Sequence, residues 1–275
     1  MPRLANILVE GVSVGGLETS IDCPEWKLAF DIGRCPDAAV NRPTILFTHA
    51  HMDHMGGVAW HAATRHLRRM GAPTYVVPRE NEVAFKELFE VWRRLDRSEL
   101  QHNLVALGPG EELELPNKLL VRPFRAYHRV PCQGYGIWTR RKKLKPEHVG
   151  KSDDELRGLR ELHGDEAFDT LEVAELAFTG DTLIEVVERT EVVRRARVLV
   201  MEVTFLDDTV SVAQCREKGH IHLDEVLERA DLFENEALLF THFSSRYSAQ
   251  RIVEILERRL PAGLRERVTP MLPPA

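Results

Sequence analysis

The sequence predicts an α/β fold in which helices cover the faces of β-sheets. Short apolar runs alternate along the chain with segments whose apolar residues recur every three or four positions, as in amphipathic helices. The composition supports a packed core, because 43% of the 275 residues are hydrophobic and 29% are charged. Layered α/β folds of this size commonly form one unit, so we predict a single domain over residues 1–275.

Six apolar runs have the length of buried strands, and four longer segments have the periodicity of helices. The predicted strands lie at 44–48, 74–77, 119–124, 176–179, 198–203 and 238–241. The predicted helices lie at 58–70, 81–95, 223–233 and 248–260. The segment 139–172 has neither pattern and is predicted to be a basic insertion. It is either a contact surface or a solvated charged loop.

Composition and charge limit the location and the partners of the protein. Its four cysteines have no C-x-x-C spacing, which fits neither a disulfide framework nor a thiolate zinc site. No segment has the pattern of a signal peptide or of a membrane span, so we expect a soluble, cytoplasmic protein without membrane contact. Because the net charge is −6, a nucleic-acid ligand would require a local basic surface.

The strongest chemical signal follows the first of the six strands. His49, His51, Asp53 and His54 lie within six residues, just before a predicted helix. Imidazoles two positions apart on an extended segment point the same way, while the next two residues turn toward a second position as the helix begins. A chance cluster of surface histidines does not account for four ligands at one strand end. This loop therefore predicts metal binding.

Three further ligand candidates, His128, Asp181 and His242, each follow a predicted strand. Taken singly, a histidine after a strand or a Gly-Asp-Thr turn is more often structural. Together with the first loop they make seven candidates, which is more than one tetrahedral ion can use. Imidazole and carboxylate ligands with open positions indicate a catalytic zinc site. The sequence therefore predicts two metal ions in one site.

These motifs resemble the metallo-β-lactamase superfamily and, within it, the tRNase Z family, over nearly the whole chain. The similarity is nearest to the short, plant-type members, and it is found in the segments 30–36, 128–135, 178–182, 201–208, 219–222 and 241–247. It implies a metallo-β-lactamase fold, an αββα sandwich of two mixed sheets flanked by helices. Many bacterial relatives have His-Ser-Thr where this chain has His220-Ile221-His222. We expect His222 to have a structural role at a helix end.

The resemblance implies a zinc-dependent endoribonuclease that removes the 3′ trailer from precursor tRNA by hydrolysing a phosphodiester. Mn²⁺ or Fe²⁺ are possible substitutes for Zn²⁺, and members of this family generally work as homodimers. Seven residues would hold two zinc ions, with three residues for each ion and one bridge: His49, His51 and His128; Asp53, His54 and His242; and Asp181.

The resemblance also implies roles outside the metal ligands. Asp53 would steer the proton of the attacking water, and Glu202 with His220 would assist departure of the ribose 3′-oxygen. Glu202 could equally be a carboxylate paired for structure. The tRNA backbone would contact the densest basic run in the chain, which we call the basic segment: Arg140, Arg141, Lys142, Lys143 and Lys145.

Two other functions are compatible with the predicted fold and ligands. The same fold serves small-molecule metallo-hydrolases and phosphodiesterases with similar metal ligands. A non-enzymatic RNA-binding module is the second alternative, although the presence of all seven ligands argues against it. The features that favour RNA cleavage are the Glu202 and His220 pair, the segment 241–247 and the basic segment, because a small substrate has no evident need for them.

Overall fold

A computed structural model of the chain describes residues 3–146, 150–152, 154–158 and 168–274. Two seven-stranded mixed sheets pack face to face, and helices pack on their outer faces. This αββα arrangement confirms the predicted architecture. Among the described residues, no helix is long and apolar enough to cross a membrane.

The first sheet has the strand order β15-β3-β4-β5-β6-β7-β8. Its strands are β3 (Glu10–Gly15), β4 (Glu18–Cys23), β5 (Leu28–Phe30), β6 (Thr44–Leu46), β7 (Thr74–Pro78), β8 (Asn103–Leu107) and β15 (Phe243–Ser244). β5 to β8 run parallel to one another, and β4 is antiparallel to both of its neighbours. A short ribbon precedes this sheet, formed by β1 (Arg3–Leu4) and β2 (Ile7–Leu8).

The second sheet has the strand order β16-β14-β13-β12-β11-β10-β9. Its strands are β9 (Leu113–Glu114), β10 (Leu120–Arg125), β11 (Gln133–Leu144), β12 (Phe168–Phe178), β13 (Val198–Glu202), β14 (Ala237–Thr241) and β16 (Val268–Pro270). β9 to β12 form an antiparallel meander, and β12, β13, β14 and β16 are parallel.

The helices are short, apart from three that cover the sheets. They are α1 (Asp37–Val40), α2 (Met52–Met55), α3 (Val58–Leu67), α4 (Glu82–Asp96), α5 (Glu185–Arg189), α6 (Glu191–Arg195), α7 (Val212–Glu217), α8 (Leu223–Leu227), α9 (Ala249–Arg259) and α10 (Ala262–Arg265). Residues 154–158 are also helical. Single 3₁₀ turns lie at Pro24–Trp26, Arg79–Asn81 and Ala230–Leu232.

Apolar side chains form three layers of core. Between the sheets, the ring centroid of Phe30 lies 5.1 Å from that of Phe178 and 6.3 Å from that of Tyr135. α3 and α4 cover the first sheet, and α9 covers the second. Burial of each such aromatic ring stabilises the fold by about 1.5–3 kcal/mol. The two sheets therefore share one interior, and the strand ends that converge at its edge are held rigidly.

The segment 139–172 was predicted to be irregular, and this prediction is wrong for its first and last residues, which lie in strands β11 and β12. β11 and β12 continue as an antiparallel ladder out to the pair Leu144 and Phe168, so Arg140, Arg141, Lys142 and Lys143 lie in a strand. The ladder has charged side chains on both faces, and a pattern that depends on apolar alternation cannot detect it. Residues 147–149, 153 and 159–167 of the predicted insertion lie outside the described residues.

The other boundary errors are smaller. The helix predicted at 223–233 ends at Leu227 and is followed by the 3₁₀ turn at Ala230–Leu232. The strands of the N-terminal region, from β1 to β5, were not predicted. They pair mainly with one another, so their stability depends on contacts across the sheet that no short window of sequence records.

Candidate metal centre

All seven predicted ligands lie at one edge of the two sheets, beyond the carboxyl ends of their strands. His49 and His51 follow β6, and His54 lies in the short helix α2. His128 follows β10, Asp181 follows β12 and His242 follows β14. These three strands run in the same direction in the second sheet, so their ends meet at one edge. The seven side chains lie at strand ends, as predicted, and their role as metal ligands stays a prediction.

One group of four side chains could hold a metal ion. The ligand atoms of His49, His51, His128 and Asp181 all lie within 4.8 Å of one another. His51 Nδ1 lies 3.0 Å from His49 Nε2 and 3.4 Å from His128 Nε2. Three ring nitrogens thus converge on one point, and each can offer a lone pair to a cation placed there.

A second group contains Asp53, His54 and His242, whose ligand atoms also lie within 4.8 Å of one another. Asp53 Oδ2 lies 3.7 Å from His54 Nε2 and 3.6 Å from His242 Nε2. The same carboxylate oxygen accepts a hydrogen bond of 3.0 Å from Gly16 N, which fixes its direction.

Asp181 lies between the two groups and faces both. Its Oδ2 is 3.8 Å from His49 Nε2, and its Oδ1 is 3.4 Å from His54 Nε2 and 3.5 Å from His242 Nε2. Burial raises the pKa of Asp181, but the surrounding imidazoles outweigh burial and hold it well below its ordinary value. A charged carboxylate with one oxygen toward each group has the geometry of a bridging ligand.

Two buried nitrogen atoms test whether a metal fits. His54 Nε2 and His242 Nε2 have no hydrogen-bond partner among the described residues. A buried polar atom without a partner costs about 1–3 kcal/mol, and a bound ion is one of the ways in which a native structure satisfies such an atom. Both atoms face the carboxylates of Asp53 and Asp181, and a metal ion between them would satisfy all four groups. The residues therefore fit metal binding.

The protonation states agree with this fit. Burial lowers the pKa of His49, His51 and His128, so these imidazoles are neutral and can act as ligands. At His54, burial also lowers the pKa, but the charges of Asp181 and Asp31 outweigh burial and raise it well above its ordinary value. The second group is therefore a place where positive charge is favoured, as a cation site requires.

Four of the five candidate histidine ligands are held by a hydrogen bond to their other ring nitrogen. His49 Nδ1 lies 3.0 Å from Thr48 Oγ1, and His54 Nδ1 lies 2.8 Å from Asp31 Oδ2. Beyond the strands of the second sheet, His128 Nδ1 lies 2.8 Å from the carbonyl oxygen of Gly219, and His242 Nδ1 lies 3.0 Å from Thr204 Oγ1. Such partners fix the tautomer and the ring orientation of a ligand. Asp31 also accepts hydrogen bonds of 2.8 Å from the Thr48 hydroxyl and backbone N–H.

Asp31, Thr48 and Thr204 had no role predicted from the sequence. The signal for the first two was their place next to strand ends, directly after β5 and just before His49. Thr204 follows β13 in the same way. Polar residues at the carboxyl ends of neighbouring parallel strands are expected to meet, so these positions were open to prediction.

The backbone is in unusual conformations at this edge. His242 has φ +60° and Asp31 has φ +54°, both in the left-handed region that side chains rarely adopt. Gly219 has φ +80°, and a Cβ at this position would lie 2.6 Å from His128 Nδ1. Strain of this kind costs about 1–3 kcal/mol per residue and clusters at functional sites.

Glu202 and His220 form a hydrogen-bonded pair beside the metal ligands. His220 Nδ1 lies 2.9 Å from Glu202 Oε1, which also accepts a hydrogen bond of 2.9 Å from Thr182 N. Burial lowers the pKa of His220, but the charge and hydrogen bond of Glu202 and the charge of Asp181 outweigh burial and raise it to about 9. His220 is therefore protonated at neutral pH and can donate a proton from Nε2.

His220 is also close enough to be counted as a ligand, because one of its nitrogens lies within 4.8 Å of ligand atoms of Asp181 and His242. Its hydrogen bond distinguishes it from the ligands. The ring nitrogen near Asp181 Oδ2, at 3.9 Å, is Nδ1, which is already bonded to Glu202. The nitrogens of His54 and His242 that face Asp181 are the Nε2 atoms, and these have no hydrogen-bond partner among the described residues.

His222 caps a helix, as expected. It is the residue before α8, its Nδ1 accepts a hydrogen bond of 3.1 Å from Asp224 N, and its own N–H donates to Glu225 Oε2 at 3.1 Å. Its Nε2 lies 3.3 Å from the carbonyl oxygen of Asp207. Both ring nitrogens are therefore used in structure.

The basic segment lies outside this cluster of ligands, and much of its charge is paired. Arg140 contacts Glu172 at 3.1 Å, Glu112 at 3.2 Å and Glu114 at 3.6 Å. Arg141 contacts the buried Glu175 at 2.6 Å. In the rest of the segment, Lys143 is exposed and Lys145 is half-buried. An RNA-binding role for the five residues stays a prediction, and the ion pairs leave Arg140 and Arg141 with little free charge.

Comparison with known proteins identifies the family. The chain is 45% identical over 262 residues to the tRNase Z TRZ1 of Arabidopsis thaliana, and the aligned residues cover 94% of this chain and 93% of that protein. The chain belongs to the tRNase Z family. It is also 37% identical over 271 residues to the chloroplastic tRNase Z TRZ2 of the same plant, covering 98% of this chain and 76% of that protein.

Members of the tRNase Z family are tRNA-processing endoribonucleases of the metallo-β-lactamase fold. The crystal structure of the human tRNase Z, short form, superposes with a TM-score of 0.60 at 18% identity and covers 97% of this chain and 96% of that one. This likeness confirms the fold, and the identity to the plant proteins confirms the predicted family and class of enzyme. No family model matches the chain.

Proposed function

We propose that the protein is a zinc-dependent endoribonuclease that removes the 3′ trailer from precursor tRNA, with two metal ions in the centre formed by the seven ligands. The observation that carries the proposal is a pair of buried nitrogens, His54 Nε2 and His242 Nε2, that have no hydrogen-bond partner in the described part of the chain. They lie within a cluster of candidate ligands on a chain of this family. Imidazole and carboxylate donors suit Zn²⁺, and they also accept Mn²⁺ or Fe²⁺.

The ligands divide into two sets that share Asp181. His49, His51 and His128 would hold one ion, and Asp53, His54 and His242 would hold the other. Two bound metal ions lower the pKa of a coordinated water and stabilise charge on the attacking and leaving oxygens of a phosphodiester. Asp53 accepts the hydrogen bond from Gly16 N through Oδ2, and its carboxylate would orient the proton of the attacking water.

His220 and Glu202 would act on the leaving group. The scissile bond joins phosphorus to the ribose 3′-oxygen of the mature tRNA, and this oxygen needs a proton as the bond breaks. His220 Nε2 would donate it, while Glu202 holds Nδ1 and stabilises the charged imidazole. Thr182 N, Ile221 N and the Thr204 hydroxyl donate hydrogen bonds to Glu202 and fix its position.

We extend the proposal to a homodimer. Large apolar side chains are exposed on α3 and α4, with Trp60 65%, Leu67 81%, Val83 67% and Leu95 70% accessible. Both helices cover the first sheet, and a second copy of the chain that packed on them would bury these side chains. Sedimentation equilibrium should show twice the mass of the chain, and charged residues in place of Leu67 and Leu95 should give the monomer. A monomeric wild type would contradict this part alone.

The experiment that tests the activity uses metal removal and restoration. The purified protein, loaded with zinc, should cleave a precursor tRNA that carries a 3′ extension. Removal of the metal by a chelator should abolish cleavage, and added Zn²⁺ should restore it. A small-molecule hydrolase of this fold would hydrolyse a simple phosphodiester but leave the precursor intact, and that result would overturn the proposal.

A further inference from the structure

A polar cleft of about 460 Å³ is lined by residues from the chain segments that follow His128, precede His220 and follow His242. Its polar lining residues are Arg129, Thr209, Gln214, Glu217, Lys218 and Arg246. Three of them are cationic and one is acidic. The cationic residues come from three separate parts of the chain, which only the fold brings together, and we call them the basic cleft: Arg129, Lys218 and Arg246.

The charges of the basic cleft are not neutralised. All three side chains belong to exposed residues, and none makes an ion pair or a hydrogen bond with a residue that the structure describes. The nearby Arg216 shows the contrast, because it is paired with Glu185 and with Glu225 at 2.7 Å. Three unpaired cations around one concave surface attract an anion, and their mutual repulsion is relieved when one binds.

The basic cleft adjoins the catalytic residues through the chain itself. Arg129 follows the ligand His128, and Lys218 lies two residues before His220. Gly219, between Lys218 and His220, accepts the hydrogen bond of 2.8 Å from His128 Nδ1. A Cβ on Gly219 would lie 3.4 Å from Arg129 Cγ, so the two segments are in contact. An anion in the basic cleft is therefore held by the two chain segments that also carry His128 and His220.

We propose that the basic cleft binds the RNA backbone on the mature-tRNA side of the cleavage site, at the phosphates immediately 5′ of the scissile bond. The inference rests on the proposed function and names the part of the substrate that this surface takes. Arginine and lysine side chains without acidic partners are the usual ligands of phosphodiester groups. The cleft has room for a backbone segment rather than for a single small ion.

The side of the scissile bond follows from the place of His220. The leaving 3′-oxygen belongs to the last nucleotide of the mature tRNA, and His220 would protonate it. In an in-line displacement, the attacking water and the leaving oxygen lie on opposite sides of phosphorus. The basic cleft adjoins His220, so it lies on the leaving side and faces the retained 3′ end.

The first test is equilibrium binding of mature tRNA that ends at the discriminator nucleotide, which requires no cleavage. Arg129→Gln with Lys218→Gln should weaken binding about five-fold per lost contact at 0.1 M salt, because each contact releases counterions. The slope of log affinity against log salt should fall by about 0.7 per residue. Arg129→Lys should retain most of the affinity.

The matched control is Arg94→Gln with Arg258→Gln, which removes the same charge from two exposed arginines outside the cleft. This control should bind and cleave as the wild type does. Metal content and thermal unfolding of the cleft variants should match the wild type, which separates lost contacts from misfolding. Equal salt slopes for the cleft variant, the control and the wild type would overturn the proposal.

The second test locates the phosphate. Precursors would carry one neutral methylphosphonate, either at the first phosphate 5′ of the scissile bond or at the first phosphate 3′ of it. The 5′ replacement should raise the KM of the wild type about five-fold and leave that of the cleft variant unchanged, since both changes remove the same contact. The proposal would be overturned if the replacement 3′ of the scissile bond raised the KM of the wild type and left that of the cleft variant unchanged.

Failure of the two proposals can be distinguished. A wild type that binds mature tRNA through the basic cleft but does not cleave the precursor would contradict the proposed function and support the cleft. A wild type that cleaves the precursor, with cleft variants that bind mature tRNA normally, would support the function and contradict the cleft.

Discussion

The basic segment and the basic cleft both concentrate positive charge, but their side chains contact different partners. Arg140 and Arg141 lie against Glu172 and Glu175 of the neighbouring strand β12, and Arg140 also contacts Glu112, just before β9. In the cleft, Arg129 and Lys218 have no such partner among the residues that the structure describes. The density of charge along a sequence therefore does not measure the charge available to a ligand, because pairing is decided by the fold.

The same distinction applies to the metal centre. Buried nitrogens of His54 and His242 have no hydrogen-bond partner among the described residues, whereas Glu172 and Glu175 of β12 are paired with Arg140 and Arg141 of β11. Unsatisfied polar groups are costly unless a ligand is present, so they indicate function more reliably than paired groups do. The comparison predicts that variants separate into three classes, which affect metal content, turnover and substrate affinity.

The largest effect is expected for the bridging position. Asp181→Ala removes the one carboxylate that faces both groups of ligands, so the protein should lose metal from both. Metal affinity should fall by roughly 100-fold or more, and cleavage with it. Elemental analysis after dialysis measures this loss. A stoichiometry of one ion in the active wild type, unchanged by excess zinc, would contradict the two-metal account.

The second largest effect is expected for His220 and Glu202, the pair that would act on the leaving group. His220→Ala and Glu202→Ala should lower kcat by about 10²–10⁴-fold while the metal content stays nearly that of the wild type. The comparison is made at saturating zinc and saturating precursor. Turnover at the wild-type rate would show that this pair is structural.

The pH profile tests how Glu202 acts. Its carboxylate helps to raise the pKa of His220 to about 9, so His220 is protonated below that pH and loses its proton above it. Activity should therefore fall as the pH rises through the pKa of His220. In Glu202→Gln the carboxylate charge is gone, and the fall should begin at a lower pH. An unshifted profile would show that Glu202 does not control the protonation of His220.

The smallest effect is expected for the paired part of the basic segment. Arg140→Ala with Arg141→Ala should lower the midpoint of thermal unfolding slightly, by less than about 4 °C. The ion pairs of Arg140 are exposed, and the buried Glu175 keeps its ion pair with Arg197 when Arg141 is lost. The KM for precursor tRNA should change by less than about two-fold. Lys143→Ala with Lys145→Ala is the companion variant, since these two lysines form no ion pair with a residue that the structure describes. A raised KM with a flatter salt dependence would establish the basic segment as the RNA contact.

The sequence predicted the centre better than its surroundings. Clustered ligands such as His49, His51 and His54 are local, and the strands before His128, Asp181 and His242 were apolar enough to recognise. Their convergence follows from parallel strands that end at one edge. The structure brings all seven together, although their role as ligands stays a proposal, as does the single domain that the shared core supports.

The rest depended on contacts between distant parts of the chain. The ladder of β11 and β12 has charged residues on both faces, so no apolar alternation marked it. Asp31 acts through His54, 23 positions away, and the basic cleft joins three segments that lie far apart in sequence. Neither the partners of a side chain nor their absence can be read from local pattern.

The most direct test of the account is to map both ends of the products from a 3′-extended precursor tRNA cut by the zinc-loaded protein. We predict one cut immediately after the discriminator nucleotide, with a 3′-hydroxyl on the tRNA and a 5′-phosphate on the trailer, because the ribose 3′-oxygen is the leaving group that His220 protonates. A 2′,3′-cyclic phosphate on the tRNA, or no cleavage by a protein that holds its full complement of zinc, would contradict the account.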